Sequence, residues 1–179
     1  MDLSDNIRNG VFLLFKEHGI DIEREARAGY ALMELGELDF FIYSIEDGIY
    51  KQIAIGENKQ WGEYRDSIGQ LLGYMDCNTQ FGFTIIYNKD TQLKTVLNGR
   101  RRILNEFNIE GKFKVIGEIE EVDGMNDTLR TCHENPEKPG TYFTLYHFIF
   151  NFFRPAREKA AVWGRKRARN KKSIKKENE

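Results

Sequence analysis

Cysteine is scarce in this chain: Cys77 and Cys132 are the only two in 179 residues. They form no C-x-x-C pair and no disulfide framework, and no Cys/His spacing suits zinc. That usage fits a reducing compartment, and a cytoplasmic protein is expected. Long apolar runs are also missing, so nothing approaches the ~20 residues of a membrane span. The opening M-D-L-S-D-N is acidic and polar, unlike a secretory signal. There is no G-x-x-x-x-G-K-[ST] phosphate loop, and Ser67 lacks a G-x-S-x-G elbow, which removes P-loop NTPases and elbow-type serine hydrolases.

What is present is a body able to fold. Hydrophobic residues make up 40% and aromatics 13%, too many for a disordered chain, and the length suits one domain. The net charge of −1 conceals an asymmetry. Residues 165–179 hold 8 of the 27 basic and 2 of the 28 acidic side chains, a net of +6, which leaves −7 on the rest. An acidic body with a basic end predicts attraction to a polyanion through that end.

The pattern predicts α/β architecture with a mixed central sheet flanked by helices. Ser4 or Asp5 caps a first helix, with Ile7, Val11, Leu14 and Phe15 at helical spacing and Gly19 at its end. Strands are expected over 20–30, 36–43 and 49–59, the last two joined by the turn Glu46-Asp47-Gly48 and therefore antiparallel. A helix over 64–77 follows, with Ile68, Leu71, Leu72 and Met75 on its apolar face and Gly69 and Gly73 beside it, suited to a close approach to the sheet. A strand over 81–87, a helix over 91–107 and a strand over 113–119 come next. A polar loop runs from Glu120 to Gly140, past Pro136 and Pro139, and an aromatic strand over 142–153 closes the body. The expected organisation is one domain over 1–155 and a basic, partly disordered helix or tail over 156–179.

One stretch carries chemistry: I-A-I-G-E-N-K, residues 53–59. Alternation on a strand puts Ile53, Ile55, Glu57 and Lys59 on one face. Asp39 lies in an apolar run on the neighbouring strand, where an ionised group is costly unless paired or bound to a cation. Asp39 and Glu57 stand nine residues either side of Gly48, so the hairpin sets them opposite each other. Two carboxylates and an ammonium then converge, a set that suits Mg²⁺. The second E-x-K, Glu110-Gly111-Lys112, sits in a loop with no acidic partner and reads as surface.

G-E-L-D-F-F-I, a turn, I-A-I-G-E-N-K and then R-D-S-I-G-Q-L-L-G-Y-M resemble the core of the PD-(D/E)XK nuclease superfamily, over residues 20–89. The resemblance implies a restriction-endonuclease-like αβββαβ core and a metal-dependent nuclease acting on DNA, with RNA as the other candidate substrate. It implies Asp39 and Glu57 as ligands of Mg²⁺ or Mn²⁺, Lys59 as the catalytic lysine and Gln70 as a supporting residue. A further acidic residue would be Glu25 or Glu23. The chain departs from the pattern in having Leu38 rather than proline before Asp39, and Asn58 as the x of E-x-K. Restriction, repair or phage defence are the settings such a nuclease implies, with a homodimer or a specificity-giving partner.

Other residues have roles to be weighed. Arg100, Arg101 and Arg102, and Arg165, Lys166, Arg167 and Arg169 in the tail, are candidates for phosphate contact. Trp61 suits packing under a helix more than stacking on a base. His133 and His147 suit structural hydrogen bonding more than ligation. The alternative to an enzyme is a non-catalytic nucleic-acid-binding or assembly module on the same fold.

Overall fold

The computed structural model describes residues 15, 16, 18–23 and 38–177, with side chains as far as 166 apart from Glu46. The predicted first helix lies largely outside the described residues. Its end is visible in Phe15 and Lys16, which are helical, and in Gly19, whose φ of 68° turns the chain into the sheet. The elements are β1 (Ile20–Glu23), β2 (Phe40–Glu46), β3 (Ile49–Gln60), a 3₁₀ turn (Trp61–Glu63), α1 (Tyr64–Tyr74), β4 (Phe81–Asn88), α2 (Leu93–Asn105), β5 (Glu120–Glu121), β6 (Leu129–Glu134), β7 (Tyr142–Asn151) and α3 (Pro155–Glu177). The strands form one mixed seven-stranded sheet in the order β1-β2-β3-β4-β7-β6-β5. β3, β4 and β7 are parallel to one another, and every other pairing is antiparallel.

The β2–β3 hairpin positions the acidic residues. Asp47 and Gly48 have φ of 52° and 76°, the primed-turn geometry that matches strand twist. Glu46 pairs with Ile49 and Tyr43 with Gln52, but Ile42 pairs with Ala54. Ile53 is therefore an extra residue, a bulge. Without it Glu57 would fall opposite Leu38. With it the pair Phe40–Gly56 is followed by Asp39 and Glu57. The bulge also corrects the expected face of Ile53. It packs with Phe40, Ile42 and Ala54 on one side of the sheet, while Ile55 lies on the other.

Two apolar layers sandwich the sheet. The larger contains Leu38, Phe41, Ile55, Ile86, Leu129 and Leu145, covered by Tyr64, Ile68, Leu71 and Leu72 of α1 and by Leu104 of α2. The smaller, on the opposite face, is Ile22, Phe40, Ile42, Ala54, Phe83 and Ile85. The close approach between α1 and the sheet comes from Gly82 of β4, not from Gly69 or Gly73. A Cβ on Gly82 would lie 2.6 Å from Leu145 Cδ2 and 2.9 Å from Met75 Sδ. A Cβ on Gly73 would meet nothing, and one on Gly69 only ordinary contact.

Two expectations for the chain beyond α2 are corrected. Residues 113–119 are not a strand. Phe113 (φ 57°) and Gly117 (φ 76°) interrupt the extended backbone, leaving one bridge, Val115 to His133. The expected polar loop instead contains β5 and β6, and β6 is a full inner strand against β7. From Pro155 the backbone is helical through Glu177. Among the described residues no helix is long and apolar enough to cross a membrane.

Candidate active site

β3 runs from an exposed hairpin tip into the middle of the sheet and delivers Glu57 and Lys59 on the face covered by α1. Glu57 is 1% exposed. Asp39, expected inside a strand, lies instead in the bend just before β2. Leu38 and Phe41 both enter the same apolar layer, so the alternation is broken at Asp39 and its carboxylate is free to turn across the strand end. There Oδ2 accepts the Asn58 backbone N–H at 2.8 Å. Lys59 Nζ lies 3.4 Å from Glu57 Oε2 and 3.8 Å from Asp39 Oδ2. The three charges thus converge, with Glu57 at the floor and Asp39 and Lys59 towards solvent.

Burial, and next the Asp39 carboxylate, push the Glu57 carboxyl up to about 7, although Lys59 opposes the shift. Burial pulls Lys59 down, but Glu57 and Asp39 outweigh it and its pKa is raised. Two carboxylates against one ammonium leave an excess negative charge around a Glu57 carboxylate that is almost closed to water. That is the condition in which a carboxylate holds a proton or a cation. One or two carboxylates suffice for Mg²⁺ when waters and a phosphate complete its shell. The donors are hard oxygens, the ligand type that Mg²⁺ and Mn²⁺ take. Among the described residues no third His, Cys, Asp or Glu joins them.

The remaining candidates divide. Glu23 is engaged elsewhere: its Oε1 accepts the Tyr43 hydroxyl at 2.9 Å. Glu25 lies outside the described residues. Gln70 is exposed on α1, on the helical face that also carries Glu63 and Tyr74. Those two feel the charges of the site: Glu63 adds to the charge raising Lys59, and Tyr74 is raised by burial and then by Glu57. Tyr74 was not singled out from sequence. Its signal was the four-residue spacing from Gln70, which stacks the two on one face.

Arg100 departs from the phosphate-binding expectation. It is 2% exposed, and Nη1 donates to the backbone carbonyls of Asp127 at 2.5 Å and His147 at 3.2 Å. Arg101 is paired with Glu121. Arg102 is exposed on α2. Arg165 and Lys166 are exposed on α3, whose backbone also carries Arg167 and Arg169. Trp61 packs rather than presenting a free face. Its ring stacks on Tyr64 at 5.9 Å, and a Cβ on Gly99 would lie 2.8 Å from it.

A buried polar chain lies beside the acidic site. Glu57, Thr84 and His147 occupy one row across β3, β4 and β7. His133 Nδ1–H donates to the Phe113 carbonyl at 2.9 Å, which leaves Nε2 to accept the Thr131 hydroxyl at 3.0 Å. Thr131 Oγ1 then accepts His147 Nε2–H at 2.8 Å. His147 Nδ1 is left as the acceptor facing the Tyr64 and Thr84 hydroxyls at 3.1 and 3.0 Å. A carbonyl can only accept, so one end dictates every tautomer. Both imidazoles are neutral: burial lowers His133 to about 4, and burial followed by His133 and Arg100 lowers His147. Both histidines make the buried hydrogen bonds expected of them.

Compared with protein-family models, curated proteins and solved structures, the chain matches none.

Proposed function

We propose that this chain is a divalent-metal-dependent nuclease that hydrolyses phosphodiester bonds of DNA on a restriction-endonuclease-like core. The observation that carries the reading is the convergence of Asp39, the nearly inaccessible Glu57 and Lys59. The succession β2, turn, β3, α1, β4 supports it, because it follows the order the motif resemblance implies. Asp39 and Glu57 would hold Mg²⁺ or Mn²⁺, which supplies a more acidic water and offsets charge on a phosphoryl oxygen. The chain's own groups do the rest. The Asn58 N–H fixes the Asp39 carboxylate. Closure by α1 keeps Glu57 dry and strengthens every charge interaction around it. Lys59, half-exposed beside both carboxylates, donates to the attacking water or to a non-bridging phosphate oxygen. Gln70 would support the site from α1, and Tyr74, whose hydroxyl feels the Glu57 charge, would flank it from the same helix.

Manganese binding tests this directly. Calorimetric titration of the wild type should show saturable Mn²⁺ binding that Asp39→Ala and Glu57→Gln each weaken at least tenfold. Equal binding by all three would remove the metal from the account and leave the carboxylates as a structural pair. The competing reading, a non-catalytic binding module, is favoured by α3, whose basic surface can hold a polyanion without any chemistry at Asp39.

A further inference from the structure

The three parallel strands end together. Gln60 of β3 pairs with Tyr87 of β4, and Tyr87 with Phe150 of β7. Glu57 and Lys59 lie at this end of β3, and α3 departs from the same end of β7. Neighbouring strands are about 4.8 Å apart, so two strand spacings set β7 about 10 Å to the side of β3. The root of α3 is pinned. Phe152 N–H and Phe153 N–H both donate to the Asn88 carbonyl, at 2.8 and 3.1 Å, and Asn88 Nδ2 donates to Asn151 Oδ1 at 2.7 Å.

Beyond that root every residue over 155–166 is exposed. The helix has 23 residues, about 34 Å at 1.5 Å each. Ten are Lys or Arg and two are Glu, a net of +8. The basic positions from Arg165 onward do not form a stripe. At 100° per residue Arg165, Lys166, Arg167, Arg169, Lys171, Lys172, Lys175 and Lys176 are spread around the whole axis. Ala168 and Ile174 are the only apolar positions after Gly164. A helix lying on a lipid surface needs one continuous apolar face, and this half has none. A groove with phosphates on both walls suits a helix that is basic all round. The major groove of B-form DNA, about 12 Å wide, admits a helix, whereas that of duplex RNA is too narrow.

We infer that α3 is a grip for double-stranded DNA, lying in its major groove and holding the duplex at the end of the sheet where Asp39, Glu57 and Lys59 converge. This rests on the nuclease reading for its purpose, but not for its test. The contacts are to phosphates, so the binding is strong in charge and weak in sequence preference.

The experiment uses the full chain with Lys59→Ala in EDTA, so that nothing is cut, on a 30-base-pair DNA duplex, the matching single strand, the matching RNA duplex and phosphatidylserine vesicles. The DNA duplex should bind tightest. Replacing Arg165, Lys166, Arg167 and Arg169 together by Gln, a good helix former, should weaken duplex binding at least tenfold at 0.1 M salt. The slope of log K against log salt should flatten by about 2–4, at ~0.9 per lost phosphate contact. Circular dichroism should show the helix intact. Unchanged affinity and slope, or tighter binding to RNA or vesicles than to duplex DNA, would overturn the inference. Failure of the nuclease reading has a different signature: duplex binding that depends on α3, with no metal-dependent cleavage by the unmodified chain.

Discussion

Moving metal-free protein from pH 4.5 to pH 8 charges Glu57 inside the sheet. Its carboxyl titrates at about 7 in the folded chain, against an ordinary value of 4.5, because it is buried and faces Asp39. A raised carboxyl pKa means that the folded state holds the proton more tightly. The stabilisation is full below pH 4.5, declines as the pH rises towards 7, and is gone above it. At 1.36 kcal/mol per pKa unit the swing is about 3 kcal/mol. For a chain of this size that is roughly 6–12 °C in Tm. The wild-type curve alone cannot reveal it, since His133, lowered to about 4, acts in the opposite sense and costs stability as the pH falls below 6.5. Comparison with Glu57→Gln cancels the histidine. In EDTA, urea denaturation should show the variant gaining on the wild type by about 3 kcal/mol more at pH 8 than at pH 4.5. Millimolar Mn²⁺ should recover part of that difference for the wild type at pH 8, because it binds only the ionised site. A wild-type-to-variant gap that stays constant with pH would refute the reasoning, for then Glu57 would not be titrating in a desolvated place.

Other outcomes follow from single contacts. Gly56→Ala would set a Cβ 2.3 Å from the Phe83 ring, next to Glu57, and should destabilise by about 1–3 kcal/mol in denaturant titration. Thr131→Val leaves His147 Nε2–H without its acceptor and His133 Nε2 without its donor, a loss of about 1–3 kcal/mol for each stranded group by the same assay. Arg100→Met should lower stability by removing the hydrogen bonds to the Asp127 and His147 carbonyls, yet leave the salt dependence of DNA binding unchanged, as measured by fluorescence anisotropy.

The hairpin and its acidic pair were legible because Asp47-Gly48 is a strong local signal and Glu57 sits at the end of an apolar strand. The symmetric count about Gly48 reached the right juxtaposition through a turn one residue too long. In the structure the turn is shorter and the Ile53 bulge supplies the difference. A bulge leaves no mark in the alternation of a run such as I-A-I-G, apolar on both faces. β6 was missed for the opposite reason. Its inward residues are Leu129, Thr131 and His133, and two of them are polar, so the period-two pattern read as loop. They are tolerated inside only through the hydrogen-bonded chain to His147, a long-range partnership that no local window contains. Arg100 shows the same limit. Three consecutive arginines read as a charged face, and only the packing of α2 against β7 distinguishes the one that points inward.

Cleavage is the decisive measurement. Supercoiled plasmid and single-stranded DNA should be incubated with the wild type, Asp39→Asn and Lys59→Ala, each in Mg²⁺, Mn²⁺ or EDTA. The account predicts cutting by the wild type that needs the metal and disappears in both variants while DNA binding persists. Cutting that survives EDTA or the loss of Lys59, or bound DNA left intact with every metal, would contradict it.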